Sequence, residues 1–103
     1  MIDLLSKIYV DLNELVIRRV PHDKEILSTR IIKEHTKICE YCFNIKSSNK
    51  DKNYMLEFKV IIKYILFILN YFISKKIINN DVYKIIEKEY KDLYYIINPQ
   101  FSN

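Results

Sequence analysis

Apolar residues recur at helical period in three separate stretches of the chain, and no other feature limits its fold as strongly. In the first stretch Leu4, Leu5, Ile8, Leu12, Leu15 and Val16 fall on one stripe of a helix. Lys7 and Asp11, and Glu14 and Arg18, form i,i+4 pairs on the opposite, wet face. Pro21 then ends this helix at about Val20, because the residue before a proline is driven out of the α region.

The second stretch carries Leu27, Ile31, Ile38, Cys42 and Ile45, flanked by Ile32, Cys39 and Phe43, with Asp23 as its expected N-cap. The polar run from Ser47 to Asn53 reads as a loop that divides two helical hairpins. In the last stretch Val82, Tyr83, Ile86, Tyr90, Leu93, Tyr94 and Ile97 make one stripe. Asn79-Asn80-Asp81 supplies its turn and cap, and Pro99 is expected to end it.

Between them, residues 54–75 are apolar around most of a helical wheel, with a thin polar strip of Lys59, Lys63, Asn70 and Ser74. A helix of that kind is either central or covered by a partner. Leu56, Phe58, Val60, Ile62 and Tyr64 also alternate with polar residues, which is a strand pattern. Helix is favoured because the chain has no glycine for tight hairpins. The expectation is therefore an all-α, antiparallel four-helix bundle, up-down-up-down, with helices at about 2–19, 24–46, 54–75 and 81–97 of one domain spanning 1–103.

With 103 residues, half of them apolar, the chain can bury a core without disulfides or a structural metal. It lacks alanine, glycine and tryptophan and is rich in Ile, Lys, Asn and Tyr, the skew expected of a low-GC genome. The segment 60–73 is interrupted by Lys63 and Asn70 and is shorter than the ~20 residues a membrane span needs. The first residues have neither a basic start nor a long apolar run, so a secretory signal is not expected and the reading is cytoplasmic. Cys39 and Cys42 would close only a tiny loop, so reduced thiols are the default.

Seventeen basic against thirteen acidic side chains leave a net charge of +4. Basic residues cluster where helices are expected to end, at Arg18-Arg19, Lys46 and Lys75-Lys76, where they complement the helix dipole. In an up-down bundle Arg18, Arg19, Lys75 and Lys76 would gather at one end, a modest phosphate-binding surface, so nucleic acid ranks third among the readings of partner.

His35, Cys39 and Cys42 fall within ~60° on the second helix, and His22 could add a fourth ligand to a zinc site. Such a motif normally sits on a turn beside a second ligand pair, which is missing, so a packed core with one hydrogen-bonded histidine is the favoured reading. No cofactor is implied. Arg30-x4-His35 is similar in spacing to the R-x4-H motif of the HEPN ribonucleases, where a general base and a cation flank the scissile phosphate. On a regular helix, however, the two side chains project about 140° apart. Tyr83, Tyr90 and Tyr94 could stack nucleic-acid bases, but read more simply as core-edge residues with hydroxyls reaching water.

The passage Val60–Ile73 followed by Lys76-Ile77-Ile78-Asn79-Asn80-Asp81-Val82-Tyr83 resembles the immunity proteins of class IIa bacteriocin producers, the enterocin A immunity type. In that family too an apolar third helix runs into a short basic turn, and size, basic charge and helix number are similar. The resemblance implies a non-enzymatic protein that engages a bacteriocin-occupied membrane permease from the cytosolic side, with its C-terminal half setting specificity. Tyr95 and the tail residues Asn98, Gln100 and Phe101 are the partner-binding residues it would imply. The alternative is a phage, plasmid or viral accessory protein that binds a host protein or dimerises through its third helix.

Overall fold

The computed structural model describes residues 1–44 and 52–101, with side chains described for 1–44 and 55–98. It is built of four α-helices: α1 (Ile2–Arg19), α2 (Glu25–Phe43), α3 (Lys52–Ser74) and α4 (Asn80–Phe101), with a 3₁₀ turn, His22–Lys24, before α2. No strand occurs among the described residues, and the alternating first half of α3 is helical throughout.

Contacts between neighbours fix the topology. Leu5 and Tyr9 of α1 meet His35 of α2, and Ile2 lies beside Phe43. Tyr41 of α2 hydrogen-bonds Glu57 of α3, while Lys24 before α2 reaches Tyr71 at the far end of α3. Lys59 lies over Tyr94 and Asn70 meets Tyr83, which runs α3 and α4 antiparallel. Lys7 faces Glu89 while Arg18 and Arg19 lie beside Val82, closing the ring between α4 and α1. The order is up-down-up-down, each helix packed on its two neighbours around the ring.

The core is the sum of the inward stripes. Leu5, Ile8, Leu12 and Leu15 of α1 meet Ile31, Ile38 and Cys42 of α2, Phe58, Ile65, Leu69 and Phe72 of α3, and Ile86, Tyr90, Leu93 and Ile97 of α4. On α1, α2 and α4 these positions fall on the stripes the periodicity assigns, while on α3, apolar around most of its wheel, packing selects the inward face; three polar residues on α2 (Ser28, Glu34 and His35) and one on α4, Glu89, are buried with them.

The helix ends depart from the sequence expectation at three places, the first at α3, which starts at Lys52 inside the polar run read as a loop. Asp23 is not the N-cap of α2. It lies inside the 3₁₀ turn that Pro21 starts, and Lys24 occupies the cap position with no side-chain cap bond. Pro99 does not end α4, which runs on to Phe101. A proline removes the N–H that would donate to the carbonyl four residues back and crowds that carbonyl, so the helix continues past Pro99 with that one bond missing. The end of α3 closes without glycine: Lys76 takes the left-handed conformation at φ 58°. Its N–H donates to the Ile73 carbonyl, and the Ile77 N–H donates to that of Phe72. This is a Schellman closure with a lysine where glycine would be strain-free. The other expected caps hold: Val20 is extended before Pro21, and the Val82 N–H donates to Asn79 Oδ1 at 2.9 Å.

Candidate interaction surface

Four of the nine exposed residues described on α3 are large and apolar. Leu56, Val60, Tyr64 and Phe67 are 57%, 56%, 41% and 69% exposed. At 100° per residue they lie within about 80° of one another, so they form a single ridge along the outside of the helix. An isolated exposed apolar side chain, such as Ile26 on α2, is ordinary on a protein surface. Four at helical spacing on one face are a contiguous patch of the kind that marks an interface. Ile2 and Val10 of α1 with Phe43 of α2 form another apolar patch.

On one flank of the ridge stand Lys59 and Lys63, and beyond them a groove of about 310 Å³ separates α3 from α4. Ile62 and Leu66 line it from α3; Glu87, Tyr90, Lys91, Tyr94 and Tyr95 line it from α4. The Lys59 ammonium sits 5.1 Å from the centre of the Tyr94 ring. Glu87 is held by Lys91 at 3.9 Å and accepts from the Tyr83 hydroxyl at 3.3 Å. Lys63 has no ion pair or ring contact among the described residues. On the opposite flank Glu57 accepts a hydrogen bond from Tyr41.

Tyr95 is 72% exposed at the rim of this groove. Asn98 is half-buried, and Gln100 and Phe101 continue the α4 backbone, their side chains lying outside the described residues. The residues implied as a tail are thus the last turn of a helix. Arg18, Arg19, Lys75 and Lys76 are exposed at one end of the bundle, where α1 and α3 both finish. Arg18 is paired with Glu14 at 3.8 Å, and Lys75 and Lys24 both sit over the Tyr71 ring, at 5.8 and 5.7 Å. Lys46 lies outside the described residues.

His35 is wholly buried. One ring nitrogen is 2.7 Å from the Tyr90 hydroxyl and the other is 3.1 Å from the Leu5 carbonyl oxygen, so the ring ties α2 to α4 and to α1. Burial pushes its pKa down, so the neutral imidazole is favoured, with the carbonyl accepting from the Nε2–H and the tyrosine donating to Nδ1. Tyr90 is the largest fully buried side chain, a core residue instead of the core-edge residue its stripe position implied.

Arg30 is on the surface, 3.6 Å from Glu34, and so does not share a site with His35. Cys39 and Cys42 are free thiols; burial pushes Cys42 up to about 12 and raises Cys39, which keeps both protonated and poorly suited to metal. Among the described residues no group of three His, Cys, Asp or Glu side chains is placed to hold a metal ion.

One buried group had no signal in the sequence. Glu89, next to Tyr90, has both carboxylate oxygens buried and without a hydrogen-bond partner, with the Lys7 ammonium 3.4 Å away in ion-pair range. Burial, then the neighbouring Asp11, raise its pKa to about 7. Only the cross-helix meeting of Glu89 with α1 reveals this, since along the chain it is one more charged residue in an acid- and base-rich helix.

Among the described residues no helix is long and apolar enough to cross a membrane. No protein-family model, curated protein or solved structure matches the chain.

Proposed function

We propose that the chain is a non-enzymatic binding protein that works through the uncovered face of α3 and the adjoining α3–α4 groove. The observation that carries this reading is the ridge of Leu56, Val60, Tyr64 and Phe67, large apolar side chains left in water at helical spacing. Leaving them uncovered forfeits about 25 cal/mol for each Å² of apolar surface that a partner would bury. A chain able to fill its core with the inward stripes has no folding requirement for them.

Among binding proteins, the bacteriocin immunity type fits best. Its resemblance to this chain runs through α3 into the α4 turn, beside the exposed ridge, and Tyr95 stands on the C-terminal half implied to set specificity. In this reading the protein is cytoplasmic and meets a permease–bacteriocin complex from the inner side. A phage, plasmid or viral accessory protein that holds a host protein on the same face is the alternative. Expression of the chain in bacteriocin-sensitive strains tests the first reading. Raised survival against at least one bacteriocin is expected, and unchanged killing across a broad panel would leave the accessory-protein reading in its place.

A further inference from the structure

The charges beside the α3 ridge point to one kind of occupant. Six cations of the bundle are paired along their own helix: Lys7 with Asp11, Arg18 with Glu14, Arg30 and Lys37 with Glu34, Lys88 with Asp92, and Lys91 with Glu87. Lys59 and Lys63, like Arg19, Lys33, Lys76 and Lys84, have no carboxylate partner among the described residues, but they stand along the flank of the ridge. Lys59 touches only the Tyr94 ring, and Lys63 has no partner among the described residues. The ridge is therefore bordered on its α4 side by two ammonium groups that no carboxylate pairs, and across the groove Lys91 is already paired with Glu87. Its α2 side carries Glu57, already engaged by Tyr41.

Resting on the reading of α3 as the binding face, we propose that this face docks an amphipathic helix of a partner protein whose apolar stripe covers Leu56, Val60 and Phe67 and whose one flank is acidic. Ridge residues spaced at i, i+4, i+8 and i+11 match the spacing of a helical partner's anchors. From position 56 to 67 the ridge runs roughly 16 Å at 1.5 Å per residue, about three turns of partner helix. Carboxylates on that helix would lie over Lys59 and Lys63, which steers the encounter and fixes the direction in which it docks.

A second copy of this chain fits less well. An antiparallel two-fold pairing sets each flank of α3 against its own copy, so Lys59 and Lys63 would face Lys59 and Lys63. An anionic lipid surface also fits less well, since the flank carrying Glu57 would be driven against like charge.

The test uses the full chain and two synthetic 18-residue helical peptides with the same leucine stripe, one flanked by glutamates and the other by lysines, with binding read by fluorescence anisotropy. The acidic peptide is expected to bind at least tenfold more tightly than the basic one at low salt and to lose most of that margin at high salt. Lys59→Glu with Lys63→Glu should reverse the preference, and Val60→Asp should abolish binding while the helical circular dichroism is unchanged. Equal binding of the two peptides, abolished by Val60→Asp, overturns the acidic occupant but leaves the face standing. So does a Val60-dependent dimer in sedimentation, or binding to phosphatidylserine vesicles without peptide preference. Binding that Val60→Asp and Phe67→Asp both leave unchanged overturns the face itself.

Discussion

The inner junction of α1, α2 and α4 and the outer face of α3 invert the usual rule of what is buried. At the junction a histidine and a tyrosine are fully enclosed, and each polar atom has a partner: Tyr90 for His35, and the Leu5 carbonyl for the other ring nitrogen. On α3, leucine, valine and phenylalanine are left in water. A buried polar group is tolerated when it is satisfied, and there it specifies how the helices meet. An exposed apolar ridge adds nothing to the isolated fold and is useful only when something covers it. Stability should therefore be concentrated at the junction and binding at the ridge.

The largest expected effect breaks the junction. His35→Ala leaves the Tyr90 hydroxyl and the Leu5 carbonyl without their partner in a dry site and opens a cavity. A loss of about 3 kcal/mol in urea unfolding is expected. Tyr90→Phe removes one hydroxyl and should cost about 1–2 kcal/mol. The double variant should lose less than the sum, because the two side chains share a hydrogen bond.

The same region sets the dependence on pH. Glu89 has its pKa raised from 4.5 to about 7, so its stabilising contribution is complete below about 4.5 and lost as pH rises through about 7. His35 is shifted the other way, lowered from 6.5. Its contribution is complete above about 6.5 and lost as pH falls through its depressed folded value. Glu89→Gln should remove the loss of stability between pH 4.5 and 7 and leave the acid-side loss due to His35 intact, as read from melting temperature across pH.

A smaller effect lies at the end of α3. Lys76→Gly relieves a left-handed conformation in a residue with a side chain, and should raise stability by about 1 kcal/mol. Smallest of all, Val60→Asp and Phe67→Asp should change stability by no more than about 0.5 kcal/mol, since both side chains are already in water. A cost of several kcal/mol from either would show that the ridge belongs to the fold and erase the contrast with the junction.

The sequence makes the two regions legible to different degrees. Periodicity places the core stripes of α1, α2 and α4, and the surplus of apolar residues on α3 is visible as a helix with too thin a polar strip, so both the bundle and its over-apolar helix can be read from the residues. His35 is readable as a core histidine, but its bond to Tyr90 joins positions 55 apart in the chain and has no local signature. Glu89 is harder still, since its neighbours Lys88, Tyr90 and Lys91 make an ordinary helix surface until Lys7 and Asp11 of α1 are packed against it. Helix ends were legible where a side chain makes the cap, as at Asn79, and illegible where backbone bonds do, as at Lys76 and in the 3₁₀ turn containing Asp23.

The central claim, that this bundle binds through α3, is tested most directly by two-dimensional amide NMR of the chain titrated with the glutamate-flanked peptide. Shift changes should be confined to the outer face of residues 56–67 and to the α4 rim around Lys91 and Tyr95. Changes centred instead on Arg18, Arg19, Lys75 and Lys76, or no changes at peptide excess, would contradict it.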